Sequence, residues 1–390
     1  MLLPLLVTLQ SVFPGPPTAA PDVVVTGERL KAIYDQCRAR GCTPLRDAQA
    51  SIAWAETLFR DGRYDDAKNV LRDAAGRAKR HAASDPKPVA AVYEAYATVA
   101  WQEGDQFIYR QATAARVRTL RENLPAVDPA VVAASLALGD MWLRLRSNPD
   151  AERAYVAAEC EGISAELPGV AIRARLARAR LRHAAGDRRA ADALLATVTE
   201  LPGGDDPASR AAVEVTRLRM AAADGRAAST DALVAALRQA SVAQPVLLSQ
   251  PPYPAVAAQA LERRPAPKGP YSDYELWKVS EATSSGAFIT PILWADIGFR
   301  IRPDGATAEA EVLQGSPRRG WTAAYLKQIA GRRYSAVGPA DGEGVYRVER
   351  FTLRPDYGRP SGSLIRRRVG WADLEVLDLT DPSAKVTAAR

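Results

Sequence analysis

The residues best equipped for chemistry are few. The chain has two histidines, His81 and His183, and three cysteines, Cys37, Cys42 and Cys160. Neither histidine lies near a Ser or Cys that it could activate, so a nucleophile–base triad is not expected. There is no phosphate-cradling Gly-rich loop with Lys, no G-x-G-x-x-G after a strand pattern and no clustered set of metal ligands. The acid pairs Asp65-Asp66 and Asp205-Asp206 fall in turns, where carboxylates cap helix N-termini. The expectation is therefore no catalytic residue, no metal and no cofactor. Cys37 and Cys42 flank Arg40-Gly41. They read either as a local disulfide pinning the end of a first helix or as two idle thiols, because a zinc site would need further ligands. Cys160 falls where a helix would face a core, and a packed thiol is expected there.

The apolar run from Met1 to Phe13 and the small-residue and proline stretch Pro14 to Ala20 read as a secretory signal cut after Ala20. The run is shorter than the roughly 20 apolar residues that span a bilayer. No Lys or Arg precedes it, which departs from the usual signal. The expectation is a periplasmic protein without a transmembrane anchor. At 390 residues, 47% hydrophobic and 25% charged, the chain is long enough for more than one core and too apolar for wholesale disorder. Its net charge of +7 reads as solvated helix faces or as attraction to an anionic surface.

From about 46 to 243 the apolar residues recur at helical spacing, broken by Pro and by Gly-Asp or Asp-Gly pairs. The segment Ala55, Leu58, Phe59, Gly62, Tyr64, Ala67, Leu71, Ala74 resembles the tetratricopeptide (TPR) signature. A second copy runs through Leu138, Gly139, Trp142, Ala151, Tyr155 and Ala158; a third through Gly186, Asp187, Ala191 and Leu195. A weak copy from Ala97 to Gly104-Asp105 has Tyr109 where the small residue belongs, and an irregular hairpin spans Ala211 to Ala240. The positions of Ala67, Ala151 and Ala191 give a period near 40 to 42, longer than the usual 34. The expected fold is multidomain, α and α+β: a TPR-like solenoid of helical hairpins, then a small α/β domain. Residues 21–45 form a separate N-terminal segment.

Composition shifts at Gln244, and the period becomes two. Trp294 to Arg302 alternates, Pro303-Asp304-Gly305 turns, and Ala306 to Leu313 continues as a second strand. Gly320 to Ala330 has a helical pattern, and Val345 to Leu353 alternates again. With a short helix over Ala255 to Leu261, the order is helix, strand, strand, helix, strand. This order resembles the TonB C-terminal domain family over roughly 250 to 355. The likeness is carried by Pro252-Tyr253-Pro254, Ile297-x-Phe299-x-Ile301-x-Pro303-Asp304-Gly305, Arg333-Tyr334-Ser335-Ala336 and Phe351-Thr352-Leu353. Residues 263–291 are an insertion relative to it. The domain is placed at 244–355, followed by a basic tail at 356–390, in which Trp371 to Leu379 alternates like a further strand.

The resemblance implies a three-stranded antiparallel sheet with one or two helices, and an exposed edge able to take an extended peptide as an added strand. The edge residues would be Val345, Arg347, Val348, Glu349, Phe351 and Leu353, unless the tail strand or the insertion covers them. Val23, Val24, Val25, Thr26 and Gly27 resemble the TonB box of outer-membrane receptors; the plainer reading is a linker or edge strand. The membrane anchor and Pro-rich spacer of energy-transducing TonB proteins are not seen in the sequence. The expected function is a non-enzymatic adaptor that binds protein or peptide partners, with outer-membrane receptors and TonB-dependent transport in view. The alternative is an envelope-structural protein whose Arg366-Arg367-Arg368 run meets peptidoglycan or the outer membrane. Nucleic acid is not an expected partner.

Overall fold

The computed structural model describes residues 27–226, 245–254, 291–317, 319–335, 342–358 and 365–380. The proposed signal, Val23 to Thr26, the helix at Ala255 to Leu261 and the insertion up to residue 290 lie outside them; Gly27 opens the first helix. Ten helices follow in order: α1 Gly27–Arg40, α2 Pro44–Arg60, α3 Tyr64–Ala78, α4 Pro86–Glu103, α5 Gln106–Asn123, α6 Pro129–Arg144, α7 Asn148–Ser164, α8 Pro168–Ala184, α9 Arg188–Ala196 and α10 Pro207–Ala223. Proline occupies the first turn of α2, α4, α6, α7, α8 and α10. There its missing N–H costs nothing and its fixed φ suits the helix.

Five chain reversals, one after every second helix, share one geometry, which the α7–α8 connection repeats with Glu166 at φ 55° and Leu167 N–H donating to the Gly162 carbonyl at 2.8 Å. A residue in the left-handed region follows α2, α4, α6, α8 and α10: Gly62 (φ 75°), Gly104 (89°), Arg146 (60°), Gly186 (84°) and Gly225 (68°). After each, the next N–H reaches back five residues. Arg63 donates to the Leu58 carbonyl at 2.8 Å, Asp105 to Ala100 at 2.9 Å, Ser147 to Trp142 at 2.9 Å, Asp187 to Arg182 at 3.0 Å and Arg226 to Ala221 at 2.9 Å. This is the Schellman closure, which satisfies carbonyls that a helix end leaves open. The turns recur every 42, 42, 40 and 39 residues, so the helices pair as α2/α3, α4/α5, α6/α7 and α8/α9, and α10 opens another unit.

Small residues set the approach within each pair. Ala67, Ala151 and Ala191 are fully buried; Ala67 shares a core with Ala55 of the preceding helix and Ala191 with Ala179. Gly139 lies inside α6; a Cβ there would meet the Tyr155 ring at 2.5 Å, so the glycine makes room for that ring. The turn of the same copy is made by Arg146. In the weak copy Tyr109 packs on Trp101, ring centroids 4.9 Å apart, and fills the space two alanines would leave. Cys160, expected to be packed, is exposed: its neighbours Ala158 and Glu159 take the buried positions of α7.

The C-terminal part contains β1 Leu247–Ser249, β2 Leu293–Ile301, β3 Thr307–Gly315, α11 Thr322–Ala330, β4 Arg333–Tyr334, β5 Val345–Gly358 and β6 Arg367–Asp378. Strands β1 and β4 form a two-stranded antiparallel pair, and the main antiparallel sheet runs β3-β2-β5-β6. It has four strands rather than the expected three, because β6 returns along β5 from Gly358↔Arg367 to Glu349↔Asp378. One face is apolar: Ala295, Ile297, Phe299 and Ile301 of β2 and Phe351 and Leu353 of β5 are fully buried beneath Trp321, Tyr325 and Ile329 of α11. The alternate residues, Trp294, Asp296, Arg350, Thr352 and Arg354, are buried as well. A sheet buried on both faces needs a second layer, and here that layer is the helical array.

Candidate functional site

The array meets the sheet along its α2–α3, α4–α5 and α6–α7 turns. At the first turn, Trp294 of β2 packs with Phe59, Tyr64 and Leu58, and a Cβ on Gly62 would meet its indole at 2.1 Å. Beside it, the fully buried Arg350 holds Asp296 through two bonds of 2.6 and 2.8 Å. Its other N–H groups donate to the carbonyls of Phe59 and of Arg60, the latter at 2.7 Å. These carbonyls end α2, where unpaired C=O groups favour a cation. Arg350 thus caps a helix in one layer from a strand in the other, with its guanidinium 4.1 Å from the Trp294 ring centre.

At the second turn a Cβ on Gly104 would meet the Pro355 carbonyl at 1.9 Å, so β5 runs directly against the turn. Arg354 stacks 3.8 Å over the Trp101 ring and pairs with Asp373 at 2.8 Å. Glu103, fully buried at the end of α4, accepts from Lys68 at 2.6 Å and from the Tyr357 hydroxyl at 2.7 Å. Arg368 of β6 reaches both Glu103 and Asp65. Burial works against the Glu103 carboxylate, yet its bonds to Asp65, Lys68 and Arg368 outweigh that and hold it below its ordinary range. Asp65 goes the other way: desolvation, then the shared hydrogen bond with Glu103, push its carboxyl up. Toward the third turn the contacts are looser, Arg144 to Glu375 at 3.7 Å and the exposed Arg146 to Asp373 at 3.6 Å. A separate apolar contact joins Val246 and Leu248 to Ala211, Val215 and Leu218 of α10.

This seam moves the expected binding edge. Strand β5 lies between β2 and β6, so Val345, Arg347, Val348, Glu349, Phe351 and Leu353 are not at an edge. Phe351 and Leu353 are core residues, and Glu349 is paired at 2.7 Å with the buried Arg332. Even beyond the ladder, Leu379 N–H donates to the Val348 carbonyl at 2.8 Å, and Arg347 lies 3.6 Å from Asp378. The outer strands of the described sheet are β3 and β6. Strand β3 pairs with β2 through two register shifts, and its Glu309 has φ 52°; such bulges disfavour further pairing. Strand β6 also pairs through two register shifts, around Pro355, but its ladder is unbroken from Asp373 to Asp378.

Two arginines of the basic tail are engaged within the molecule. Arg368 is buried on Glu103, and Arg366 sits over the Tyr357 and Phe107 rings at 5.8 and 6.0 Å. Cys37 and Cys42 are joined in a disulfide with Cα atoms 5.0 Å apart at the end of α1. Among the described residues no three His, Cys, Asp or Glu side chains are grouped to hold a metal, and no helix is long and apolar enough to cross a membrane. His183 pairs with Asp224 at 3.1 Å; the Arg188 contact, with His183 and Arg226, holds that carboxyl well below its usual range.

Sequence reading missed Asp296, Arg350, Arg354, Glu103 and Arg368. The available signal was an ionisable or large aromatic residue at four of the five positions of the supposed outer face, Trp294, Asp296, Arg350 and Arg354, with Thr352 the fifth. A solvated face has no need of Trp294.

No protein-family model and no curated protein matches the chain. Solved structures that resemble it include BtubC (BKLC) from P. vanneervenii, with TM-score 0.41 and 15% identity over 63% of this chain and 94% of that one. A putative kinesin light chain from Podosopora anserina with nearly identical TPR-like repeats gives 0.39 and 16%, over 51% and 96%. A single-substitution form of that protein gives 0.39 and 17%, over 51% and 94%. With TM-scores below 0.5 these likenesses decide nothing about the chain. Its description as helical repeats followed by a small antiparallel sheet rests on the recurring turns and the strand register given above.

Proposed function

We propose that the chain is an exported, periplasmic, non-enzymatic adaptor that holds protein or extended-peptide partners on its repeat surface and at the outer edge of its C-terminal sheet. The observation that carries this reading is the seam. Buried Arg350, Arg354 and Arg368 fix the sheet on one side of the hairpins, giving a platform on which, among the described residues, the remaining helix faces and the β6 edge have no covering element. Rigid, pre-ordered surfaces lose little entropy when they bind. The Cys37–Cys42 bond supports export, since such bonds persist in oxidising compartments. The succession β2, β3, α11, β5 supports the likeness to the TonB C-terminal domain and, with it, strand addition as the binding mode and TonB-dependent transport as the setting. The peptide edge moves from β5 to β6. The envelope-structural reading loses ground because Arg366 and Arg368 are engaged within the molecule.

Two experiments test this. A reporter active only after export, fused to residues 1–30, should be active; inactivity removes the periplasmic reading. Affinity capture on the full chain from envelope extract should retain specific proteins, whereas retention on purified sacculi with no protein recovered would favour the structural role.

A further inference from the structure

Helix α7 turns an apolar stripe outward. Its inner side buries Ala151, Tyr155 and Ala158, yet Val156 and Ile163 on the other side are 38 and 42% exposed, and Cys160 between them is exposed as well. Arg153, one turn earlier, is exposed and paired with Asp150. The positions 153, 156, 160 and 163 are spaced alternately three and four apart, the spacing of a coiled-coil seam.

The flanking helices indicate what covers the stripe. Equivalent positions of a repeat array stand level on neighbouring helices, so residues can be compared by their distance from the turn residues Gly104, Arg146 and Gly186. Cys160 stands fourteen residues after its turn; at that place α5 carries Arg118, and the 3-10 turn that continues α9 carries Glu200. Six residues after the turn, α5 carries Arg110 and α9 carries Asp192. All four are exposed, and none has an ion pair among the described residues. Arg189 of α9 is level with Phe107 of α5, whose ring is 45% exposed, and a cation is attracted to such a face. One flank of the stripe is therefore basic where the other is acidic, at matching heights.

A two-fold axis running along α7 exchanges the flanks. It lays α7 on its copy in parallel, like residue against like residue, and sets α5 of each subunit against α9 of the other, Arg110 to Asp192 and Arg118 to Glu200. An axis across α7 would instead place α5 on α5 and arginine on arginine, which is repulsive. Arg153 meets its copy on the axis, but each brings Asp150 as its own counter-charge. Three helices about 10 Å apart, exposed over about fifteen residues of about 1.5 Å rise, offer roughly 650–700 Å² per subunit, near the about 800 Å² per partner of a specific interface.

We propose that the chain forms a symmetric dimer through α7, with α5 of each copy pairing by charge with α9 of the other. The occupant is a second copy because the face complements itself. The dimer goes beyond the adaptor reading, which stands whether one copy or two is present.

Sedimentation velocity of the full chain from about 1 to 100 µM tests it, the range in which an interface of this size associates at its weakest. The wild type should be dimeric at the upper end and dissociate as salt screens the exposed pairs. V156E places a carboxylate on the axis, and R118E turns two attractive pairs per dimer into two repulsive ones; each should weaken the dimer about tenfold. R118E/E200R swaps the pair within one chain and should restore it, a rescue that only the parallel exchange of flanks allows. These side chains are exposed, so the variants should melt as the wild type does. Cys160 reads the register independently. Diamide, which takes up two electrons and two protons, should join the two Cys160 thiols by one S–S bond in the wild type and not in V156E. A wild type that stays monomeric overturns the proposal and assigns the stripe to another partner. A dimer indifferent to V156E and R118E, no rescue in R118E/E200R, or a sedimenting dimer that diamide does not link overturns it as well.

Discussion

Single side chains join the two layers, and Arg350 does most of it. Its guanidinium is fully buried, pairs with Asp296, caps α2 and stacks on Trp294. Deleting one member of a buried pair strands the other, at about 3–5 kcal/mol. Arg350→Met should therefore lower stability in urea by about 3 kcal/mol and shift the Trp294 emission to the red; a loss under about 0.5 kcal/mol would mean the seam is held elsewhere. Glu103 gives the seam a pH dependence. Its folded pKa lies below the ordinary 4.5, so its contribution is fully present above that value and is lost as pH falls through the folded pKa. Asp65 is raised and acts in the opposite sense, but it is 64% exposed and screened. Acid titration followed by tryptophan emission should show the seam loosening below about pH 4.5, and Glu103→Gln should flatten that transition while weakening the seam at neutral pH. An unchanged acid limb in the variant would contradict the assignment.

At the scale of elements, the hairpins were legible and the sheet only in part. Ala67, Ala151 and Ala191 mark the close helix contacts in sequence, because only small residues fit there, and Gly62, Gly104 and Gly186 mark turns because their φ is positive. Arg146 hid the turn of the α6–α7 hairpin, since nothing in a sequence distinguishes an arginine that adopts φ 60° from one on a helix. The alternation of β2 and β5 was visible. Which face was solvated was not, for alternation gives a period and leaves the partner of the second face undefined. Strand β6 begins inside the run Arg366 to Arg368, and that basic run reads as a tail until Glu103, more than 260 residues away in sequence, supplies the counter-charge of Arg368. The Cys37–Cys42 bridge tests the N-terminal element. Closing so short a loop contributes about 2 kcal/mol in the chain-entropy account. It tethers only the end of α1 to the start of α2. Reduction should therefore speed hydrogen exchange in α1 and leave α4 to α8 unchanged; equal loss of protection throughout would show that α1 is part of the cooperative core.

For the molecule as a whole, a short β module seated on the turn side of a helical array turns two weakly coupled parts into one body. The seam engages Arg368 of the basic tail and the middle strands, and among the described residues what remains available is the exposed repeat surface, together with the β6 edge. The adaptor account therefore predicts where contacts with other proteins occur. Photo-cross-linking residues placed singly in the full chain, in intact cells, test it most directly: at Ala133 of α6 and at Asp378 of β6, against the exposed Arg110 of α5 and Arg153 of α7. The account predicts discrete adducts with other proteins from Ala133 or Asp378 and none from Arg110 or Arg153. Such adducts confined to Arg110 and Arg153, or absent from all four, would contradict it.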